Sequence, residues 1–225
     1  MLAELDQNGF LIKENIYSEE EVIKLIDLIN QEELEYQFGI REFLINRPHI
    51  TEKVFNPNLI QLIKQISPNC QKAIKSIYFN KPPNANWIVN WHQDLTINLI
   101  NKDEIKGYKN WRETKDRVVV QPPIQILENI FTIRIHLDDC TIQNGALRVI
   151  KGSHKNGIID MKEGKENNEI DICEVDKGGV LIMRPLILHS SKRTENNQNR
   201  RVIHIEFTSS KLPENLKWKE KVSWN

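Results

Sequence analysis

The chain has 225 residues, of which 39% are hydrophobic and 28% are charged, proportions typical of a globular protein. Lys and Arg total 31, as do Asp and Glu, so the formal net charge is zero. This balance argues against the basic field that attracts nucleic acid and against a polybasic membrane-binding patch. The length is sufficient for one sizeable core, and we expect a single domain over residues 1–225.

The N-terminus and the cysteines bear on the cellular compartment. Residues 1–6 are acidic, whereas a signal peptide begins with a basic region followed by an apolar one. The most apolar run, residues 179–189, is interrupted by an arginine and a proline and is too short to span a bilayer. Cys70, Cys140 and Cys173 lack metal-ligand spacing, which favours free thiols. We therefore expect a cytoplasmic protein without a membrane segment.

Two helices are predicted in the first 75 residues. Ser18 and Glu21 form a capping box at the start of an amphipathic segment that continues to Asn30. Asn56 has the properties of an N-cap, with proline at the next position, and the helix that it begins should run to Ile66. Residues 71–74 are compatible with one more helical turn.

From about residue 76 to residue 210 the hydrophobic pattern changes to short strands bounded by Pro, Gly, Asn and Asp. The predicted strands are Ile77–Asn80, Trp87–Trp91, Phe131–Leu137, Ala146–Ile150, Gly179–Met183 and Arg201–Phe207. Helices followed by many strands indicate an α+β, mainly β protein: an antiparallel sandwich or barrel flanked by N-terminal helices. Two long polar segments, residues 98–130 and 156–177, are expected to be loops that form a lid over the site.

One set of residues has the composition of a non-haem iron site. His92 and Asp94 are two apart on a predicted strand and point to the same side, and His189 supplies a third ligand. Arg200 and Arg201 begin a strand expected to return beside the one ending at His189, so that one guanidinium reaches the carboxylate of a co-substrate. Alone, His-x-Asp is a weak signal in a chain with six histidines. The ordered combination favours an Fe(II)- and 2-oxoglutarate-dependent oxygenase.

The sequence resembles the phytanoyl-CoA dioxygenase-like (PhyH) family of Fe(II)/2-oxoglutarate-dependent oxygenases. The matching segments occur in the family's order between about residues 9 and 210. They are residues 9–11, Trp91-His-Gln-Asp-Leu95, Asp138-Asp139, Asn144-Gly-Ala-Leu-Arg-Val-Ile-Lys-Gly-Ser-His154, Arg184-Pro-Leu-Ile-Leu-His-Ser-Ser191 and Arg200-Arg201. The segment from Asn144 to His154 is the most specific.

The resemblance implies a double-stranded β-helix, a cupin-like jelly-roll barrel, that hydroxylates a small molecule and releases succinate and CO2. It implies that His92, Asp94 and His189 bind the iron, with 2-oxoglutarate and O2 as co-substrates. It assigns Arg200 to the far carboxylate of 2-oxoglutarate because the family's arginine follows the distal histidine by eleven residues. Ser191 is expected to bind the same carboxylate, and Gln93 is expected to lie in the pocket.

Arg134 departs from many relatives, which carry an aromatic residue at this position. Thr132, Arg134, His136 and Asp138 share one face of a predicted strand whose other face is apolar. Solvent exposure would explain such a face, but a barrel packed by helices favours a pocket lining. We therefore predict that Arg134 is a second anion contact, to co-substrate or to an acidic substrate.

Three other interpretations stay open: a cupin-like metal enzyme that does not use 2-oxoglutarate, a non-catalytic β-sandwich binding module, and a metal-stabilised structural protein. The carboxylate of Asp94 favours hydroxylation, because related halogenases lack it. The primary substrate is not indicated. Basic residues between 102 and 117 would suit a CoA thioester, but acidic residues alternate with them, as in a solvated loop. The sequence carries no signal for the oligomeric state.

Overall fold

The computed structural model describes residues 1–32, 34, 38–82, 87–160, 169–196 and 198–224. Most helices precede the main strands, and a short one follows at residue 124. They are α1 (Leu2–Asn8), α2 (Glu19–Asn30), α3 (Pro48–Val54), α4 (Pro57–Ile66) and α5 (Ile124–Glu128). Within the described residues, no helix has the length and apolar character needed to cross a membrane.

Two helices begin where their capping residues predict. The Ser18 side chain accepts a hydrogen bond from the Glu21 amide, and the Glu21 carboxylate accepts one from the Ser18 amide. The Asn56 side chain accepts from the Leu59 amide at 2.8 Å, which satisfies one of the free N–H groups at the start of α4. The predicted helical turn at residues 71–74 is wrong, because a strand begins at Ala73.

The strands form three antiparallel sheets. The first strands in the chain are β1 (Phe10–Lys13), β2 (Gly39–Arg41), β3 (Ala73–Lys81), β4 (Val89–His92), β5 (Ile97–Leu99), β6 (Lys109–Glu113) and β7 (Val118–Gln121). The later strands are β8 (Ile130–His136), β9 (Leu147–Ile150), β10 (Ile170–Cys173), β11 (Val180–Met183), β12 (His189–Ser191) and β13 (Arg200–Thr208). The sheet orders are β1-β11-β8-β13-β3-β2, β10-β9-β12-β4 and β5-β7-β6.

The six-stranded sheet has one apolar and one polar face. Odd-numbered residues of β8 and β13, such as Ile133 and Ile205, join the main apolar cluster with helix residues including Leu25 and Leu59. Burying these side chains stabilises the fold by roughly 1.5–3 kcal/mol each. Most even-numbered residues of the same strands are polar, and Arg134, His204 and Glu206 among them line a cavity on the side of the four-stranded sheet.

The four-stranded sheet lies opposite this polar face. A second apolar cluster joins the two sheets at one end, where Leu147 and Val149 of β9 meet Leu181 and Met183 of β11. Beyond that cluster the sheets enclose a cavity lined by residues from both. Two facing antiparallel sheets, with helices covering one of them, form the double-stranded β-helix that the resemblance implied.

The long polar segment at residues 98–130 is not the loop that its composition suggested. It contains most of the three-stranded sheet and α5, and its core includes Val118 and Val120 together with Leu127. Apolar residues from near the C-terminus, such as Leu216, pack on the same cluster. In the second segment, residues 170–173 form β10 and residues 161–168 lie outside the described part of the chain.

Candidate active site

His92, Asp94 and His189 come together on the wall of the cavity. His92 on β4 and His189 on β12 are direct cross-strand partners, and their ring centroids lie 4.1 Å apart. The Asp94 carboxylate lies 4.0 Å from His92 Nε2 and 3.8 Å from His189 Nε2. One ligand atom from each of the three side chains falls within 4.8 Å of the other two. This grouping is compatible with a single metal ion bound by two imidazoles and one carboxylate.

Hydrogen bonds to the main chain hold both imidazoles in the orientation that metal binding requires. His92 Nδ1 lies 2.8 Å from the carbonyl oxygen of Asn90, and His189 Nδ1 lies 2.9 Å from that of Ile187. Only a protonated Nδ1 can donate to a carbonyl, so the lone pair of each ring is on Nε2. Both Nε2 atoms are turned toward Asp94, as a shared ion would require.

The protonation of the three side chains also suits a cation. Burial lowers the pKa of His189 to about 4, with Asp94 opposing the shift, so this imidazole is neutral at neutral pH. Burial alone would raise the pKa of Asp94, but electrostatic attraction to His189, His204 and Lys75 outweighs burial and holds this pKa below its usual value. A carboxylate and a neutral imidazole therefore face the metal position without having to lose a proton.

A second trio, Asp94 with His204 and Glu206, has ligand atoms equally close together. Its environment disfavours a metal ion, because Lys75 Nζ lies 2.7 Å from Glu206 Oε1. Arg134 Nη1 donates to His204 Nδ1 at 3.0 Å, which leaves the other ring nitrogen protonated and facing Glu206. Lys75 and Arg134 already occupy the acceptor atoms of this second trio. In the described chain, no cationic side chain pairs with His92, Asp94 or His189.

The cavity also holds two buried guanidinium groups, Arg134 on β8 and Arg200 on β13, which are 8% and 7% exposed. Neither pairs with a carboxylate within the described residues. Arg200 Nη1 donates to the carbonyl oxygen of Gly145 at 2.5 Å. Arg134 Nη1 contacts His204, but the buried Nε of Arg134 has no partner. A dicarboxylate ligand would supply acceptors for these two cations.

The two adjacent arginines point in opposite directions, as strand alternation requires. Arg200 lines the cavity, whereas Arg201 makes two hydrogen bonds to Asp138, at 2.9 and 2.6 Å, on the outer side. The expected position of their strand was wrong: β13 does not pair with β12 but lies in the facing sheet. Arg200 therefore reaches the site across the gap between the sheets.

Gly145 provides the carbonyl group that Arg200 contacts on the other side of the gap between the sheets. Its φ of 81° lies in the left-handed region, and a Cβ at this position would approach the carbonyl oxygen of Lys192 to 2.7 Å. Only glycine can bring its own carbonyl against Arg200 here without displacing the neighbouring chain.

The other two residues predicted to bind the co-substrate differ in position. Ser191 is buried and lines the cavity at the end of β12, two residues beyond His189. Gln93 does not line the cavity, which corrects the expectation. Its amide nitrogen donates to the carbonyls of Gly157 and Leu186, and its Oε1 accepts from the Ile159 amide at 2.9 Å. β4 ends at His92, and these hydrogen bonds hold Gln93 against the segment at residues 157–159 while Asp94 faces the cavity.

Several cavity residues were not predicted from the sequence. Lys75 and Glu206 form a buried ion pair there, and Arg41 lies at the edge strand β2. A charged residue at alternate positions of an otherwise apolar strand, as at His204 and Glu206, is a signal that could have identified the lining. No comparable signal marks Arg41. The cavity has a volume of about 290 Å³, near the lower end of the range for small-molecule sites.

Comparison with known proteins identifies the family. The model of the family described as phytanoyl-CoA dioxygenase (PhyH) matches residues 5–202. The chain belongs to this family. It is 20% identical over 193 residues to the phytanoyl-CoA dioxygenase domain-containing protein 1 homolog of Caenorhabditis elegans, an alignment that covers 77% of this chain. The chain spans 58% of the length of that curated relative.

Solved structures of other proteins have the same fold. EctD from S. alaskensis superposes with a TM-score of 0.69 at 17% identity, over 92% of this chain and 75% of the EctD chain. HygX from Streptomyces hygroscopicus, solved with nickel and 2-oxoglutarate bound, superposes with a TM-score of 0.66 at 12% identity. The HygX match covers 92% of this chain and 84% of the HygX chain. At these identities the likeness establishes the fold of the PhyH-family chain.

Proposed function

We propose that this protein is a non-haem Fe(II)- and 2-oxoglutarate-dependent dioxygenase that hydroxylates a small molecule. One observation carries the proposal: three metal-ligand atoms within 4.8 Å of one another lie in the same cavity as Arg134 and Arg200, which have no carboxylate partner in the described chain. Family membership, and a fold shared with a protein solved with 2-oxoglutarate bound, support it.

Each group in the cavity has a role in this proposal. His92, Asp94 and His189 would hold ferrous iron, at which 2-oxoglutarate and O2 would react. Arg200 binds the far carboxylate of 2-oxoglutarate, with Ser191 as a second donor and Arg134 as a further cation. The bound iron supplies the redox chemistry by which O2 oxidises 2-oxoglutarate to succinate and CO2 and hydroxylates the substrate.

The protein's own contribution is position and exclusion of water. The main-chain carbonyls of Asn90 and Ile187 keep both imidazoles in one tautomer, so no reorganisation is needed when the metal binds. The buried guanidinium of Arg200 fixes one end of the co-substrate and thereby its orientation at the iron. Asp94 favours hydroxylation because its carboxylate takes the position that a halide would need.

Three buried, unpaired cysteines support a reducing cytoplasm as the compartment.

The test is an anaerobic titration of purified protein with Fe(II) and 2-oxoglutarate, followed by visible absorption. A weak charge-transfer band is expected in the wild type. It should be lost in Asp94→Ala and should require far more 2-oxoglutarate in Arg200→Ala. Arg112→Ala, which removes an exposed arginine outside the cavity, should leave the band unchanged.

Folded, metal-loaded protein that gives no band would remove 2-oxoglutarate from the proposal. The cupin-like enzyme would then be favoured if O2 were still consumed, and the binding module if it were not. Loss of the fold on chelation would instead favour the metal-stabilised structural protein.

A further inference from the structure

We propose that the substrate of this dioxygenase carries an oxyanion, a carboxylate or a phosphate ester, which Arg41 binds at the end of the cavity remote from Arg134. This inference rests on the proposed function and specifies its substrate class. It depends on where the cations lie along the sheet and on which of them have an acidic partner.

Arg41 and Arg134 lie near opposite ends of one row across the six-stranded sheet. Arg41 on β2 is paired in register with Ile77 on β3, Ile77 with His204 on β13, and His204 with Arg134 on β8. Three strand spacings of about 4.8 Å separate the backbones of the two arginines. Both line the same cavity. The cavity therefore has a cation at each end of this row, with Ile77 and His204 between them.

The distribution of acidic partners leaves Arg41 available. Four cations line the cavity, Arg41, Lys75, Arg134 and Arg200, against two carboxylates, Asp94 and Glu206. Asp94 is a proposed iron ligand, and Glu206 is paired with Lys75 at 2.7 Å. Bound 2-oxoglutarate supplies anionic groups to the iron and to Arg200 and Arg134. No carboxylate forms an ion pair with Arg41 anywhere in the described ranges of the chain.

Loss of hydration, and next the positive charge of Arg117, lower the pKa of Arg41, while the carboxylates of Glu206, Asp94 and Glu220 oppose the shift. A bound oxyanion would accept charge-assisted hydrogen bonds from the Arg41 guanidinium and offset its loss of hydration.

Exposure distinguishes Arg41 from the co-substrate site. Arg41 is exposed, whereas Arg134 and Arg200 are buried. A ligand that enters after 2-oxoglutarate can therefore reach Arg41 from the solvent.

The experiment is anaerobic calorimetric titration of protein loaded with Fe(II) and saturating 2-oxoglutarate. Three probes share one alkyl chain: hexanoate, hexyl phosphate and the neutral hexanamide. We expect at least one anion to bind the wild type and hexanamide not to bind. In Arg41→Gln the anion's Kd should rise about 10- to 100-fold, the effect of losing a charge-assisted hydrogen bond. Which anion binds more tightly distinguishes a carboxylate substrate from a phosphate ester.

Two further variants complete the design. Arg41→Lys should recover part of the affinity, because it restores the charge without the planar fork. Arg112→Gln, the matched loss of an exposed arginine outside the cavity, should bind the anion as the wild type does. Unchanged anion affinity in Arg41→Gln, equal binding of hexanamide, or no anion binding to the wild type would each overturn the proposal.

The charge-transfer band is recorded on the same samples. A normal band in the wild type and in Arg41→Gln, together with unchanged anion affinity, would overturn the anion site and leave the dioxygenase proposal intact. Absence of the band in the wild type would overturn the dioxygenase proposal itself.

Discussion

At the scale of single residues, adjacent residues in the chain have different roles: one faces the cavity and the next makes a structural hydrogen bond. His92 and Asp94 face the cavity while Gln93 between them hydrogen-bonds the segment at residues 157–159. Arg200 faces the cavity while Arg201 is held by Asp138. Along β13, strand alternation therefore separates ligand binding from structural support between adjacent residues.

The two arginines provide a matched pair of substitutions. Arg200→Ala should raise the Kd of 2-oxoglutarate by about 10- to 100-fold, since a charged hydrogen bond contributes roughly 1.5–3 kcal/mol. Arg201→Ala should leave this Kd unchanged and lower the melting temperature, because it leaves the partly buried Asp138 without its cation. Fluorescence or calorimetric titration and thermal unfolding measure the two effects. Equal Kd increases in both variants would contradict the assignment.

At the scale of elements, the sequence predicted best those segments whose pattern is local. The capping residues of α2 and α4 and the alternation along β8 depend only on near neighbours, and these elements lie where expected. The sheet formed by β5, β6 and β7 was missed because β5 and β7 have only three and four residues, β6 is mostly exposed, and polar residues dominate the segments between the strands. Its apolar contacts come from distant residues such as Leu216.

The same limit applies to the site. The three proposed iron ligands were found from the His-x-Asp spacing and a distant histidine, although β4 ends at His92 and Asp94 lies two residues beyond it. Arg41 and Lys75 were not found, because their relation to Asp94 depends on the order of strands within a sheet. Strand order is set by long-range pairing, which a single sequence does not reveal.

The C-terminal segment contacts β3 through backbone hydrogen bonds between Val222 and Ala73 and through the buried carboxyl group of Glu220. The contribution of this carboxyl group to stability should depend on pH. Glu220 accepts from the Ser76 amide at 3.0 Å and from the Ser76 hydroxyl. Burial raises the pKa of Glu220 to about 7, although the hydrogen bonds from Ser76 oppose the shift. The folded state therefore retains a proton that the unfolded state releases near pH 4.5. The stability that this proton contributes is complete below pH 4.5 and is lost as the pH rises to about 7.

Glu220→Gln should remove this loss, because the amide stays neutral at every pH. We expect the free energy of unfolding of the wild type, relative to the variant, to fall by on the order of 1–3 kcal/mol between pH 4.5 and pH 8. Urea denaturation of metal-free protein at several pH values measures the difference, in which the other titrating groups cancel. Parallel curves for the two proteins would contradict the assigned pKa.

At the scale of the whole molecule, the apolar clusters and the proposed metal site are in different places. The largest cluster lies between the helices and the outer face of the six-stranded sheet, and the site lies on the inner face. We therefore expect chelation to leave the protein folded. Saturating metal at 100 times its Kd adds about 2.7 kcal/mol, which corresponds to a rise in Tm of about 5–10 °C for a chain of this size. Thermal unfolding followed by circular dichroism, with and without chelator, measures it; a chelated protein lacking β structure would contradict this expectation.

The two-faced sheet has a consequence for how the protein can evolve. On β8 and β13 the odd positions determine whether the chain folds, and the even positions determine what the cavity holds. The two sets alternate along the same strands and lie on opposite faces. Substitution of residues that face the cavity can therefore change the substrate preference without changing the packing against the helices. Relatives at low identity can therefore keep this architecture and differ in their chemistry. We expect their substitutions to alter the alternate residues that face the cavity.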